Sequence, residues 1–408
     1  MTGFFNKQQI KSITRPEGKH LSCYSCGLFK DSIHPKMKPY GNFAKGIMCI
    51  GEAPNEQEDS TGKTWQGKSG SLLRKTLSQF NIDLEEDCIS LNSVNCRPKT
   101  EEGKNRLPTQ LELNCCARSI QLYISKYKPK IILLFGSTAV QTVIGSKWKK
   151  DLGKFTKWVG YTIPDQEYNA WLCPVFTPNY VAHEEKEELT NLWEKDLQKA
   201  IEKLNCEFPI YEEPTIHYLK ETELSELDNI TSDEIAFDYE TTGLKPHAIG
   251  HQIVCASIAV SENEVYTFPM PKKKSLQLTF LNLLTNPKIK KIGQNIKYEH
   301  TWSFYCLGIT VSNWIWDTML WSHILNNKPD TTSLKFQTYI NFGIGDYSSE
   351  IEPFLQAEDP KNSNSFNTLV KYFKTPENAM KTMRYCALDS INTFRLKKLQ
   401  EKQIKELI

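Results

Sequence analysis

The chain has 408 residues, 39% of them hydrophobic and 24% charged, with a formal net charge of +2. This is the composition of a soluble globular protein, too long for one ordinary core, so two domains are expected. The near-neutral charge argues neither for nor against nucleic acid, and any surface for a polyanion must be a local cluster of Lys and Arg. No run approaches the roughly 20 apolar residues of a membrane span, and the N-terminus lacks the apolar core of a secretory signal. The expected protein is cytoplasmic, with no membrane partner.

Taken in chain order, residues 46–52 form a short apolar run ending in glycine, as in a buried parallel strand. A helical pattern over Gly70–Phe80 leads to a strand at Cys88–Val94. Pro108 and a capping threonine open a helix from about Thr109 to Lys126. Lys130–Phe135 is the next strand, followed by Gly136 and a helix; Leu172–Phe176 is a last strand and Glu184–Leu204 a long amphipathic helix. Strands alternating with helices predict a parallel sheet with helices on both faces. The Pro-containing, acidic stretch 206–232 reads as a linker between a domain at 1–205 and one at 233–408. Beyond it, Ile235–Glu240 is a strand, Gln252–Ala259 and Glu264–Pro269 form an antiparallel pair, and Lys290–Ile292 is a short strand. From Tyr298 to the end the chain reads as mostly helical.

Asp238 and Glu240 lie two apart on a strand, so both project from one face, while Ile235, Phe237 and Tyr239 occupy the other. Paired carboxylates repel unless a cation lies between them, and Mg²⁺ is the usual solution where phosphate is the substrate. Tyr385 and Asp389, four apart on a helix, share a face. An acid pair on a strand with Tyr and Asp on a late helix is what two-metal phosphodiester cleavage requires. An Asp-x-Glu pair by itself is more often a solvated strand edge.

Twelve cysteines are many for a reducing compartment, where they do not build a disulfide framework. Cys49, Cys173, Cys255 and Cys306 stand singly in apolar runs as small buried hydrophobes, whereas six of the other eight cluster in the first 120 residues and predict a metal centre there. Cys23-x-x-Cys26 is used by zinc ribbons, redox sites and iron–sulfur proteins alike; no helix follows a thioredoxin-like strand there, which disfavours redox use.

Two resemblances sharpen these readings. Phe237-Asp238-Tyr239-Glu240-Thr241-Thr242-Gly243-Leu244, Gly293-Gln294-Asn295-Ile296-Lys297-Tyr298, Trp316-Asp317-Thr318-Met319-Leu320 and Tyr385-Cys386-Ala387-Leu388-Asp389 resemble, in order, the motifs of DEDD exonucleases in the form of the proofreading domain of family A DNA polymerases. The resemblance implies a ribonuclease H-like mixed-sheet α/β domain, two Mg²⁺ or Mn²⁺ ions, and a metal-dependent 3′→5′ exonuclease acting on a single-stranded or frayed DNA 3′ end. It implies Asp238, Glu240 and Asp389 as metal ligands, with Tyr385 orienting the water. The family usually has Asp after the Lys-Tyr of the second motif, where this chain has Glu299. Either Glu299 reaches the metal with its longer arm, or it is a surface helix residue and Asp317 serves instead.

Cys23, Cys26, Cys96 and Cys116, the last standing eleven residues beyond the Asn of Asn105-Arg106-Leu107-Pro108, resemble the four-cysteine pattern of family 4 uracil-DNA glycosylases. That implies a parallel-sheet α/β domain with a [4Fe–4S] cluster, although four thiolates equally suit Zn²⁺. Gly51-Glu52-Ala53-Pro54 resembles the first active-site motif of that family, Glu58 a second acidic pocket residue, and Asn92 the amide that reads the uracil edge. Trp65 stands where Phe usually stacks on the flipped base. The plain alternatives are a core aromatic for Trp65 and a turn former for Asn92. The His-Pro-Ser motif of the family is replaced by Thr177-Pro178-Asn179, with His183 six residues on; Thr cannot carry positive charge.

Three functions follow as expectations: an exonuclease fused to a glycosylase-like DNA-binding module in replication or repair, a bifunctional enzyme that also excises uracil, or the proofreading portion of a family A polymerase. The third is favoured by the final helix, Ala379–Leu407, stopping where that family continues, and it leaves room for a separate polymerase polypeptide and, were the chain viral, the host cytoplasm. Lys335, Lys371, Lys374 and Lys381, among Phe336, Tyr372 and Phe373, suit phosphate contact and base stacking, or are ordinary solvated lysines.

Overall fold

The computed structural model describes residues 22–407. They form two compact units, residues 22–211 with Tyr339–Asp346, and Glu212–Thr338 with residues 347–407. Among the described residues no helix is long and apolar enough to cross a membrane.

In the first unit a five-stranded sheet is built from β1 (Ile47–Gly51), β2 (Cys88–Asn92), β3 (Ile131–Phe135), β4 (Ile163–Asp165) and β5 (Ala170–Val175), in the order β2-β1-β3-β5-β4. Every residue of these strands is buried, the mark of a sheet covered on both faces. Four strands are parallel as expected; the edge strand β4, which contains Pro164, pairs antiparallel with β5. Helices α1 (Cys23–Cys26), α2 (Glu56–Thr61), α3 (Lys68–Gln79), α4 (Gln110–Tyr127), α5 (Gly136–Val143), α6 (Pro178–Glu184) and α7 (Glu187–Glu202) complete the unit. Thr109 caps α4 by accepting from Glu112 N–H, while the Glu112 carboxylate accepts from Thr109 N–H at 2.7 Å. The same carboxylate receives two hydrogen bonds from the Arg106 guanidinium, fixing the turn that leads into the helix.

The second unit holds a six-stranded mixed sheet of β6 (Thr215–Tyr218), β7 (Glu234–Thr241), β8 (Ile253–Ala259), β9 (Glu264–Pro269), β10 (Lys290–Gly293) and β11 (Trp314–Asp317), in the order β11-β10-β7-β8-β9-β6. The β7–β8–β9 meander is antiparallel; β10, β11 and β6 join in parallel. Two of these strands lie where the sequence showed none. β6 falls in the stretch read as linker, and β11 in the stretch read as helical. Both are four-residue edge strands with no fully buried residue, too short for periodicity to reveal. Helices α8 (Lys274–Thr285), α9 (Ile296–Trp302), α10 (Thr318–Leu325), α11 (Leu334–Phe342), α12 (Glu352–Leu355), α13 (Leu369–Tyr372) and the 32-residue α14 (Pro376–Leu407) follow.

Alternation along β7 sorts its side chains. Ile235, Phe237 and Tyr239 enter one core with Phe268, Phe280 and Trp302. Ala236 enters the other, against Ala387, Leu388 and Ile391 of α14. Asp238 and Glu240 therefore face the long helix.

Candidate functional sites

The Asp238 and Glu240 carboxylates and the Cys386 thiol of α14 form a group whose ligand atoms all lie within 4.8 Å of one another. Burial, then the nearby Asp389, pushes the Asp238 carboxyl up to about 8. Burial, then Asp238, raises Glu240 well above the carboxylate range. Glu299, on α9, is 3% exposed, and its carboxyl is likewise raised, by burial first and Asp238 next. One Glu299 oxygen, Oε2, is buried without a hydrogen-bond partner. Glu299 is thus not a surface residue. Asp317 caps α10 instead, accepting from the backbone N–H groups of Asn295, Ile296 and Met319 at 2.9–3.1 Å, so its oxygens are already engaged.

Asp389 completes the cluster from α14. Its Oδ1 accepts a hydrogen bond from the Tyr347 hydroxyl at 2.7 Å and an ion pair from the Lys335 ammonium. The Lys335 nitrogen also lies 4.2 Å from the ring centroids of both Tyr347 and Tyr385. Tyr385 is half-buried one helical turn before Asp389. Sequence reasoning missed the part played by Tyr347 and Cys386, and read Lys335 as a lysine for DNA phosphates or an ordinary solvated one. By contrast Lys371 and Lys381 pair with Glu358 and Glu377 at the surface. Buried acids that raise one another, with an oxygen lacking any partner, form a donor set that fits hard divalent cations.

In the first unit Cys23 and Cys26 lie on the one-turn helix α1, Cys96 just beyond β2, and Cys115 and Cys116 on α4. Burial raises the Cys116 thiol to about 12, with Cys96, Cys23 and Cys26 adding to the shift. Cys115 rises to about 11, by burial and by Cys26 and Cys23. Cys96 rises too, through burial first; Lys36 N–H, which donates to its sulfur at 3.2 Å, opposes this, and Cys26 and Cys23 add to it. Cys116 therefore feels the charge of all three other candidate ligands and Cys115 that of two, while Cys115 also shares a side-chain hydrogen bond with Cys26. Thiols that penalise one another's ionisation fit a centre that supplies positive charge.

The pocket candidates gather at the carboxyl ends of the parallel strands, where the order reverses between β1 and β3. Gly51 ends β1 and stands in register with Asn92, which ends β2. The Trp65 ring packs edge-on to Phe135, at the end of β3, with centroids 4.8 Å apart. A methyl group on Gly51 would come within 2.4 Å of Asn92 Oδ1 and 3.3 Å of Trp65 Cη2, so a residue without a side chain is required there. The Trp65 backbone is held at φ +57°, its N–H donating to Glu58 Oε1 and its carbonyl accepting from Arg74 at 3.0 Å. The other Glu58 oxygen accepts from Asn55 N–H at 2.9 Å, so this carboxylate shapes the loop. Both Asn92 Nδ2 and Trp65 Nε1 are buried without partners. Glu52, raised by burial, accepts from the Thr138 hydroxyl. Thr177 caps α6, accepting from Tyr180 N–H at 3.2 Å, while His183 is exposed near the end of that helix.

An α/β unit with convergent polar groups at its strand ends, followed by a mixed-sheet unit with a buried acid cluster, defines a two-part nucleic-acid-processing enzyme. Residues 38–204 match the uracil DNA glycosylase superfamily, and residues 215–405 match the 3′-5′ exonuclease family of family A DNA polymerases. The type-4 uracil-DNA glycosylase of Thermotoga maritima is 31% identical over 199 residues, covering 48% of this chain and 95% of that protein. The chain belongs, through its first unit, to the type-4 uracil-DNA glycosylase family, and its second unit is a 3′-5′ exonuclease domain. A DNA polymerase of Bacillus phage SP01 is 25% identical over 405 residues, which span 89% of this chain and 41% of the phage protein. Among solved structures, Brucella melitensis NrnC matches at 19% identity and a TM-score of 0.35, over 47% of this chain and 83% of that one.

Proposed function

We propose that the second unit removes nucleotides from the 3′ end of DNA, and that the observation carrying this is the buried cluster of Asp238, Glu240, Glu299 and Asp389 on three separate elements. Those carboxylates would hold two divalent cations, Mg²⁺ or Mn²⁺, which supply a more acidic water and a charge opposite the leaving oxygen. Of the chain's own groups, Asp238 and Glu240 hold the negative pole of the site, while Glu299 reaches it with a longer arm from α9. Tyr385, one turn before Asp389, is suited to orient the attacking water by its hydroxyl. A labelled single strand with Mg²⁺ should shorten from its 3′ end, and Asp238→Ala should abolish this; undiminished shortening in that variant would refute the proposal. The similarity to a phage polymerase fits a proofreading role, with polymerisation supplied by another region or another polypeptide, inside the cell where DNA is copied.

In the first unit Cys23, Cys26, Cys96 and Cys116 would hold a [4Fe–4S] cluster, with Zn²⁺ as the competing centre; iron analysis and visible absorbance of anaerobically purified protein decide between them. The strand-end pocket carries a second reading, a site for an extruded base. It is favoured by the unpartnered amide of Asn92, 94% buried by its 6% exposure, because a base edge supplies the missing acceptor. Incubation with a uracil-containing duplex followed by alkali tests whether that base is also excised.

A further inference from the structure

Asp389 is held differently from the other three acids. The Tyr347 hydroxyl and the Lys335 ammonium both contact its carboxylate at the same oxygen, Oδ1. Oδ2 accepts no hydrogen bond from the described residues. Lys335 is no solvated lysine: its side chain is 15% exposed, against 12% for Asp389, and its nitrogen lies over two tyrosine rings. The Tyr347 hydroxyl is also 3.2 Å from that nitrogen, so ammonium, phenol and carboxylate close a triangle. The field of the ammonium reaches further, opposing the raised values of both Asp238 and Glu240.

We propose that Lys335 and Tyr347 are the positioning pair of the exonuclease site: they clamp Asp389 by Oδ1 and leave Oδ2 as its one oxygen able to serve a cation. Lys335 also supplies a fixed positive charge, so that four carboxylates do not present their full negative field to an incoming DNA phosphate. Ordering by two donors of different kind is what a carboxylate on a long helix needs. Unclamped, it is free to turn and bind an ion through both oxygens, which alters how that ion is held. A fixed ammonium beside a cation site also weakens cation binding by repulsion, in exchange for geometry and for phosphate approach.

The two effects separate experimentally. The inference rests on the exonuclease reading, so the primary measurement is Mn²⁺ binding by the full chain without DNA, followed by electron paramagnetic resonance. Lys335→Met should bind Mn²⁺ about tenfold more tightly or better, since one positive charge has left the site. Its kcat for 3′-end cleavage should nevertheless fall by a factor on the order of 10². Tyr347→Phe keeps the charge and loses one clamp, so its Mn²⁺ affinity should change less than threefold while kcat falls by about tenfold. Lys335→Arg should recover most of the wild-type Mn²⁺ affinity. A merely structural lysine predicts weaker metal binding in Lys335→Met, through a loosened site. Unchanged or weakened Mn²⁺ affinity in that variant overturns the inference, and Lys335→Gln stands in should the Met variant fail to fold. Loss of the exonuclease reading would appear separately, as Asp238→Ala cleaving like wild type.

Discussion

Replacing Asp238 by Asn should make the protein more stable once divalent cations are stripped away with EDTA, and the gain should grow with pH. The cause is the raised carboxyl. Its ordinary value is 3.8, and burial with Asp389 nearby lifts it to about 8 in the folded chain. A native state that keeps a proton its unfolded chain has released loses stability as pH rises through that window, here from about 4 to about 8. At about 1.4 kcal/mol per pH unit, the roughly three units between 3.8 and pH 7 correspond to about 4 kcal/mol. Asp238 is partly open to solvent, so half of that, about 2 kcal/mol, is a sound expectation. Asparagine cannot ionise, so Asp238→Asn removes this penalty and relieves Glu240 and Glu299, both raised in part by Asp238. For a unit of this size about 2 kcal/mol corresponds to roughly 4–8 °C in Tm. The assay is thermal unfolding of both proteins in EDTA at pH 4.5, 7 and 8. Adding Mg²⁺ should stabilise wild type far more than the variant, because ligand stabilisation requires the acid. A gain that is equal at pH 4.5 and pH 8, or no gain at pH 8, refutes the electrostatic account of this site.

Two further outcomes follow from the first unit. Trp65→Phe withdraws the ring edge beside Gly51 and opens the space beside Asn92, so binding of a uracil-containing single strand should tighten; fluorescence anisotropy reads this, and Asn92→Ala should erase the gain. On the proposed [4Fe–4S] reading, Cys23→Ser should lose the visible absorbance, whereas Cys115→Ser should keep it, because Cys116 feels the charge of three candidate ligands and Cys115 that of two; equal bleaching by both refutes the choice of Cys116.

What the sequence made legible were short-range periodicities with a chemical payload. Two residues along β7 and four along α14 sufficed to put Asp238 with Glu240, and Tyr385 with Asp389. Thr109 announced its helix because a cap, its partner Glu112 and the following apolar pattern lie within one turn. The clamp on Asp389 could not be found that way, since Lys335 stands 54 residues and Tyr347 42 residues away in sequence. Only the tertiary fold of the second unit, to which Lys335, Tyr347 and Asp389 all belong, brings them together. Glu58 fits the spacing of a pocket acid, and its carboxylate accepts from the Asn55 and Trp65 N–H groups, two bonds that help hold Trp65 at its positive φ and that spacing alone does not reveal. Strands β4, β6 and β11 escaped because an edge strand is made by its partner: each is three or four residues long and has no alternation of its own.

Whether the pocket excises a base turns on the end of β5. Phe176, Thr177, Pro178 and Asn179 offer no side chain able to carry a positive charge there, and His183 is exposed on the helix that follows. Thr177 can donate one neutral hydrogen bond, while its oxygen is already accepting from Tyr180 N–H. A missing charge-assisted donor opposite a leaving anion costs about 2–4 kcal/mol of transition-state stabilisation, or roughly 30- to 1000-fold in rate. In a Trp65→Phe background, Thr177→His should therefore raise uracil release by about that factor. It also removes a helix cap worth about 1 kcal/mol, so a small drop in Tm is part of the expectation. The Trp65→Phe background separates the two obstacles. If the indole blocks entry, Trp65→Phe alone improves binding without release, and release appears only when both changes are combined. Should the folded double variant bind uracil through Asn92 and still leave every base in place, the missing donor is not what limits this pocket, and the charge argument at Thr177 fails.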